Sequence, residues 1–300
     1  MGTPEFAVPS LDILVQNGYD IVGVITSTDK FGGRGKKKLL ESAVKKYARE
    51  HEIKILQPKN LKAPEFVKEL RNLEADLQVV VAFRMLPEVV WNMPRLGTFN
   101  LHGSLLPKYR GAAPINWAVI NGDEETGVTT FFIRHKIDTG DMMLQKKTPI
   151  GENETAGDVH DRMMLIGAEA VLETVQMIEN NSYELQIQDH NLATKAPKIY
   201  HDTCKINFDQ PTAQVHNFIR GLSPYPAAWT TLGEHSLKIF QTTKEIIDHE
   251  CSPGRFFSDH KKWLKVSTQD GFIHIHKLQL QGRKRMGIVD FLNGYDGSFE

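Results

Sequence analysis

Hydrophobic positions in the N-terminal part of the chain repeat with two alternating periods. Short continuous apolar runs, such as residues 21–25 and 77–82, are typical of buried parallel strands. Between such runs apolar residues recur every three or four positions, which predicts helices at residues 42–50, 63–73 and 155–180. Because strands and helices alternate, we expect an α/β fold with a doubly wound, mostly parallel sheet.

The pattern changes near residue 206, where short strand candidates replace the long helices. The strand candidates are residues 237–241, 246–249, 264–267, 271–277 and 287–289, with one helix predicted at 212–220. About five short strands with one helix are typical of a small β-barrel. A chain of 300 residues has room for two domains. We therefore predict an α/β domain at residues 1–188, a polar linker at 189–205 and a barrel domain at 206–300.

Composition excludes several classes of protein. Hydrophobic residues make up 40% of the chain and charged residues 24%, as in soluble globular proteins. No run approaches the ~20 apolar residues of a membrane span, and no secretory signal opens the sequence. The two cysteines, Cys204 and Cys251, lack the close spacing of a zinc site or a disulfide framework. We expect a cytoplasmic protein that does not bind a membrane.

Positive charge is concentrated in two segments although the net charge is only −1. Residues 30–49 contain eight Lys and Arg and one acidic residue, Glu41. Residues 195–285 contain fourteen Lys and Arg against eight acidic residues, with seven His. Such patches suit an enzyme that binds a polyanion on one face, and they also occur as ordinary solvated surfaces.

Candidate catalytic residues surround a strand predicted at residues 98–102. A period of two places Asn100 and His102 on one face of that strand. Gly103 then ends it, and ligands of open α/β sheets bind at such carboxyl ends. Asp138 lies downstream, between strand candidates. Alone, an Asn-x-His pair is often a hydrogen-bonded turn and such an Asp is often a turn residue.

A basic, glycine-rich segment covers residues 28–38. It lacks the Walker pattern, because Lys36 is followed by another lysine rather than Ser or Thr. A cationic loop of this kind suits contact with a phosphate backbone without reading of bases. We therefore expect this loop to contact nucleic acid.

These motifs resemble those of formyltransferases that use 10-formyltetrahydrofolate. The matching segments are residues 2–9, 33–37, 100–115 and 137–141, and the similarity extends from residue 2 to about residue 292. The central motif marks the whole group, whereas residues 2–7 and the C-terminal extension favour the methionyl-tRNA formyltransferases. The resemblance implies a Rossmann-like formyltransferase domain followed by an OB-like β-barrel that binds tRNA.

The resemblance also implies functional residues. The implied catalytic residues are Asn100, His102 and Asp138. The implied folate-pocket residues are Phe83, Arg84, Met85, Leu86, Ser104, Leu105, Leu106 and Pro107. The implied tRNA-binding residues are Arg34, Lys36, Lys37, Lys38, Lys195 and Lys198. The co-substrate would be 10-formyltetrahydrofolate, the partner initiator methionyl-tRNA, and the protein a monomer without a metal.

Formyl transfer requires a donor for the formyl oxygen and a route for protons. Asn100 has a neutral amide donor, and His102 can donate a second hydrogen bond and transfer a proton. Asp138 can orient the imidazole and accept the amine proton through a water molecule. Two alternatives stay open: a formyltransferase acting on a nucleotide-linked amino sugar or a purine precursor, and a non-catalytic RNA-binding protein with this fold.

The beginning of the sequence departs from the family pattern. The loop at residues 2–4 normally follows a first strand, whereas this sequence begins at Met1. Without an interior strand, the edges of its two neighbours would be unpaired. The sequence leaves open whether residues upstream of Met1 or another segment of the chain fills that place.

Overall fold

The computed structural model describes residues 1–32, 35 and 38–299, which form two compact units. The first unit contains Met1–Gly111, Gly127–Thr148 and Asp161–Lys195. The second contains Ala112–Thr126, Pro149–His160 and the chain from Ala196 onwards. The division into domains at residues 188 and 205 stays a prediction.

Helices and strands account for most of the described chain. The α-helices are α1 (Val8–Gln16), α2 (Ala43–Glu50), α3 (Pro64–Arg71), α4 (Glu88–Trp91), α5 (Pro114–Ile120), α6 (Ala156–Glu179), α7 (Thr212–Gly221) and α8 (Ile288–Asn293). The strands of the first half are β1 (Val24–Ile25), β2 (Lys30–Gly32), β3 (Lys38–Leu40), β4 (Ile55–Leu56), β5 (Gln78–Val81), β6 (Thr98–His102), β7 (Arg110–Gly111), β8 (Glu125–Phe132) and β9 (Met142–Pro149). The later strands are β10 (Lys195–Ala196), β11 (Ala228–Leu232), β12 (His235–Ile246), β13 (Phe256–Ser258), β14 (Leu264–Ser267), β15 (Gly271–Leu280) and β16 (Met286–Gly287). Short 3-10 helices lie at Glu5–Ala7, His190–Leu192 and His201–Cys204.

Parallel strands form the centre of the first unit, which confirms the predicted α/β class. Strand β1 pairs with β4, and β5 pairs with β6, in both cases in parallel. The four-stranded sheet has the order β5-β6-β8-β9, and β8 runs antiparallel to β6. Phe99 of β6 is completely buried, and Val80 of β5 is 4% exposed. The central strand is therefore fixed by neighbours on both edges and by packing on its buried face.

Met1 and Gly2 occupy the end of the place where a first strand is expected. The Val81 amide donates to the Met1 carbonyl at 2.9 Å, and the Gly2 amide donates to the Ile25 carbonyl at 3.1 Å. The Met1 amino group donates to the Val79 carbonyl at 2.6 Å, and burial lowers its pKa to about 5. A cavity of about 140 Å³ lies between the flanking strands. These two residues thus link the strand pairs.

The second unit contains a six-stranded antiparallel sheet, which agrees with the predicted barrel-like domain. The strand order is β11-β12-β15-β14-β13, and β16 pairs with β15. Leu237, Ile239 and Leu278 are completely buried in its core. Helices α7 and α8 contribute Ile219 and Phe291 to the same core, so the sheet is closed by helices on its apolar side.

Two strand candidates of this unit were wrong. Residues 247–249 lie outside β12, which ends at Ile246. In the candidate at residues 287–289, Gly287 belongs to strand β16, but Ile288 and Val289 begin helix α8. The buried positions Ile288, Phe291 and Leu292 are spaced by three and four, as on a helix. A short apolar run cannot separate these two periods by itself.

Buried polar groups of α7 hold the segment that precedes α6. The His216 ring is 1% exposed, with Nδ1 at 2.9 Å from the Thr242 hydroxyl and Nε2 at 3.3 Å from the Glu152 carbonyl. The Arg220 guanidinium donates to the carbonyls of Gly151 and Glu154. Burial lowers the pKa of His216 to about 4, and the charges of Arg220 and Lys244 act in the same direction. The folded protein therefore holds a neutral imidazole here.

The stability of the protein should depend on this histidine between about pH 6.5 and pH 4. The unfolded chain takes up a proton near pH 6.5, whereas the folded chain does so only near pH 4. The free energy of unfolding should therefore fall as the pH is lowered through this range, by about 3 kcal/mol at most. Urea unfolding of wild type and His216→Gln at several pH values measures the contribution.

The free energy of unfolding of His216→Gln should depend less on pH than that of wild type, since glutamine does not titrate. His235→Gln is the matched control, because His235 is exposed on the same sheet. If the free energy of unfolding changed with pH equally in wild type and His216→Gln, the assignment of a neutral His216 imidazole would be contradicted.

Candidate active site

Asn100 and His102 lie on β6, directly before Gly103. Phe99 and Leu101 alternate with them and are buried in the core, with 0% and 3% exposed. The Asn100 side chain is half-buried, and His102 is 6% exposed. The regular alternation of β6 thus puts an amide and an imidazole on one face at the carboxyl end of a central strand.

Two partners fix the His102 ring. Nε2 lies 2.9 Å from the Tyr109 carbonyl oxygen, which can only accept, so Nε2 carries a hydrogen. Nδ1 lies 3.8 Å from the Asp138 carboxylate, which is beyond hydrogen-bond distance but close enough to attract a protonated ring. The ring orientation is therefore set by a backbone carbonyl, and Nδ1 is the atom that can accept a proton beside Asp138.

Asp138 is held in a special backbone conformation. Its φ is 53°, in the left-handed region that Asp and Asn tolerate better than most residues. Its carboxylate accepts a hydrogen bond from the Gly111 amide at 2.9 Å through the same oxygen that faces His102. The strand end, the loop after it and the Asp138 loop thus converge on one carboxylate oxygen.

Gln188 was missed by the sequence reasoning, although it connects the loops of this site. It is 2% exposed, and its amide donates to the carbonyls of Gly140 at 2.8 Å and Asp138 at 3.1 Å. Its oxygen accepts from Arg110 Nε at 3.0 Å. Burial lowers the pKa of Arg110, and the charge of Asp138 opposes that shift. No motif surrounds Gln188, so only its place in three dimensions reveals it.

The segment after β6 is fixed by side chains of β8 and β9. The Thr129 hydroxyl donates to the Ser104 carbonyl at 2.7 Å and accepts from the Leu106 amide at 3.1 Å. The Gln145 amide donates to the Leu106 carbonyl at 2.9 Å. The Ser104 carbonyl and both backbone polar groups of Leu106 therefore have partners within the protein.

The eight residues predicted to line a folate pocket differ in exposure. The buried residues are Leu86, Ser104 and Leu106, and the half-buried ones are Phe83, Leu105 and Pro107. Arg84 and Met85 are exposed. Residues 83–86 follow β5, and residues 104–107 follow β6. Because β5 and β6 are parallel neighbours, both segments lie at the same edge of the sheet. The buried members shape the backbone, and the others are available to a ligand.

The residues predicted to contact tRNA are only partly described. Arg34, Lys36 and Lys37 lie outside the described residues. Lys38, Lys195 and Lys198 are exposed.

Neither a candidate metal site nor a membrane-spanning helix lies within the described residues. Across residues 1–32, 35 and 38–299, no group of three or more His, Cys, Asp or Glu side chains is arranged to hold a metal. Among those same residues, no helix has the length and apolar character needed to cross a membrane.

Replacement of Gln188 by leucine should loosen the Asp138 loop. Two buried carbonyls would lose their donor and Arg110 its acceptor, at a cost of about 1–3 kcal/mol in the free energy of unfolding. Amide hydrogen exchange at residues 138–141 should become faster. Gln186→Leu is the matched control, since Gln186 is exposed two residues earlier. Equal exchange in the two variants would contradict the role of Gln188.

Solved structures with a similar architecture include two formyltransferases. A sugar 3N-formyl transferase, WlaRD, solved with dTDP and 5-N-formyl-THF, matches with a TM-score of 0.69 and 25% identity over 94% of this chain and 97% of that chain. The N-formyltransferase from Helicobacter canadensis, in complex with folinic acid and dTDP-3-aminofucose, matches with a TM-score of 0.65 and 23% identity over 95% and 97%. The second similarity is one of fold.

Sequence comparison extends over both units. The formyl transferase family model matches residues 1–175, and the model of the formyl transferase C-terminal domain matches residues 198–296. The methionyl-tRNA formyltransferase of Parabacteroides distasonis is 54% identical over 98% of this chain and 94% of its own length. That of Flavobacterium johnsoniae is 51% identical over 100% and 96%. This chain therefore belongs to the formyl transferase family, with relatives among its methionyl-tRNA formyltransferases.

Proposed function

We propose that this protein transfers the formyl group of 10-formyltetrahydrofolate to the amino group of initiator methionyl-tRNA, for translation initiation. The observation that carries the proposal is the convergence of His102 and Asp138, 3.8 Å apart, at the carboxyl end of β6. The relatives at 51–54% identity support the choice of substrate. We expect the protein to act in the cytoplasm as a monomer.

Asn100 is the proposed donor to the formyl oxygen. When a neutral amine attacks the formyl carbon, negative charge develops on this oxygen, and a donor already in position stabilises it most. The Asn100 amide is neutral and half-buried on a fixed strand, so little reorganisation is required. One such donor is worth about 3 kcal/mol.

His102 and Asp138 are the proposed route for protons. The amine loses a proton as the new bond forms, and the folate nitrogen departs more easily when it gains one. Because Nε2 is bonded to the Tyr109 carbonyl, Nδ1 is the atom that exchanges a proton. The Asp138 carboxylate attracts the protonated ring, and it can accept the amine proton through a water molecule.

The folate would bind over the edge formed by the turn after β5 and the segment after β6. Met85 is 74% exposed although it is apolar, and Leu105 and Pro107 are half-buried. These three side chains can cover an apolar face of the pterin, while Leu86, Ser104 and Leu106 act by shaping the backbone. Solved relatives of this fold were crystallised with folate derivatives, which supports the assignment.

A formyltransferase for a nucleotide-linked amino sugar is the second candidate. The WlaRD similarity favours it, but at 25% identity, which is about half of that to the methionyl-tRNA enzymes. Parallel assays with 10-formyltetrahydrofolate and either methionyl-tRNA or a dTDP-amino sugar separate the two. Formylation of the sugar alone would contradict the first proposal.

Substitution of each proposed catalytic residue should reduce formylation without unfolding the protein. Asn100→Ala, His102→Ala and Asp138→Asn should each lower kcat/KM for methionyl-tRNA by about a hundredfold or more. Asp138→Asn keeps an acceptor for the Gly111 amide while removing the charge. Asp141→Asn, in the same loop and paired with Arg134, is the matched control and should retain activity. Near-normal turnover of a folded variant would exclude that residue.

The basic loop should contribute to tRNA affinity through charge. Arg34→Ala should raise the Kd for tRNA and make that Kd less dependent on salt. Each phosphate contact releases counterions on binding, so a variant with one contact fewer releases fewer of them. Folate affinity should not change. Lys62→Ala, an exposed lysine of the same unit, is the control. If the salt dependence of Arg34→Ala equals that of wild type, the loop is an ordinary solvated surface.

A further inference from the structure

The second unit carries two groups of aromatic rings and lysines that are neighbours in the chain, one around the stacked His201 and Trp229 rings and one around Tyr200. We call the two groups together the ring platform. Its rings belong to Tyr200, His201 and Trp229, and its lysines are Lys198, Lys205 and Lys238. Tyr200 is 60% exposed, and the His201 side chain is 66% exposed. A single exposed aromatic side chain is ordinary, whereas several of them beside cations are typical of a binding surface. The ring platform therefore requires a functional explanation.

The rings are held in fixed positions by backbone contacts. His201 stacks on Trp229, with ring centroids 5.1 Å apart and planes at 16°. The Trp229 indole donates to the His201 carbonyl at 2.9 Å, and the Ile206 amide donates to the Trp229 carbonyl at 2.8 Å. Thr203 caps the short helix by bonding to the backbone of Tyr200. The His201 and Trp229 rings are thus pre-positioned before any ligand arrives, which lowers the entropy cost of binding, and the backbone that carries Tyr200 is fixed beside them.

Cations lie directly beside these rings. Lys205 Nζ is 5.8 Å from the Trp229 ring centroid, and Lys198 Nζ is 5.3 Å from the Tyr200 ring centroid. Lys238 is the cross-strand partner of Trp229 in the β11·β12 pair, on the outward face. One acid, Asp202, pairs with His201 at 3.4 Å. Three lysines against one carboxylate give the ring platform a positive balance.

We propose that the ring platform binds unpaired nucleotides of the RNA substrate. A flat base can stack on the exposed Tyr200 and His201 rings, and the adjacent lysines can contact the phosphates on either side. Bases within a duplex already stack on each other, so they cannot use these faces. An acidic protein segment would use the lysines but would leave the rings without a flat partner. The inference rests on the proposed function only in identifying the RNA as tRNA.

The test compares binding of the full-length protein to two RNAs over a range of salt concentrations. One is an initiator tRNA transcript, and the other is a blunt-ended RNA duplex without unpaired nucleotides. The variants are Tyr200→Ala, His201→Ala and Lys205→Gln. Both aromatic residues use backbone atoms in the contacts that hold the fold, so their alanine variants should fold. Tyr225→Ala is the matched control, because Tyr225 is 82% exposed in the same unit.

The ring variants should each raise the Kd for the tRNA about tenfold, with no change for the duplex. The salt dependence of Tyr200→Ala should equal that of wild type, because no charge is lost. Lys205→Gln should instead reduce the salt slope for tRNA. In formylation assays the ring variants should raise KM for methionyl-tRNA and leave kcat unchanged.

Several outcomes would overturn the ring platform. These are a Kd within twofold of wild type for both ring variants, equal loss with the duplex, or an equal effect of Tyr225→Ala. Failure of the proposed function gives a different result. Wild type would then bind the tRNA, and the ring variants would bind it more weakly, but no formyl group would be transferred by any of them.

Discussion

The meeting of His102 and Asp138 depends on a carboxylate oxygen shared by two loops. That oxygen accepts the Gly111 amide at 2.9 Å and faces the His102 ring at 3.8 Å. The loop after β6 must therefore return to the Asp138 loop. Gln188 holds the Asp138 loop in place by donating to the carbonyls of Asp138 and Gly140. Strand β6, which carries His102, is buried at the centre of a sheet and is therefore the rigid element of the site. Precise geometry on a fixed element is what transfer between two bound substrates demands.

The two units have different sheet architectures, and these suit different ligands. Parallel strands of the first unit collect polar side chains at one edge, where a small co-substrate can bind. The antiparallel sheet of the second unit instead exposes alternate residues over a wide surface, which suits a long polyanion. Inside the second unit, His216 and Arg220 bond to the carbonyls of the segment before α6, whereas Tyr200 and His201 are exposed on its surface. The proposed catalytic residues and the ring platform thus belong to different units and can be altered by separate substitutions.

The sequence predicted those features that depend on local periodicity. The alternation at residues 98–102 located Asn100 and His102, and the mixed α/β pattern identified the class of fold. It could not reveal Gln188, because that residue acts through carbonyls 48 and 50 positions away. Nor could it reveal that a backbone carbonyl, rather than Asp138, makes the hydrogen bond to the imidazole. The strand predicted at residues 287–289 was wrong for Ile288 and Val289, which are helical, because a short apolar run fits both periods.

The central claim is that His102 and Asp138 act as one unit in proton transfer. A double-mutant cycle of single-turnover formylation with His102→Ala, Asp138→Asn and the double variant tests it most directly. If the two groups act together, the double variant should react about as fast as the slower single variant. Losses that multiply, so that the double variant is slower by the product of both single effects, would contradict the account.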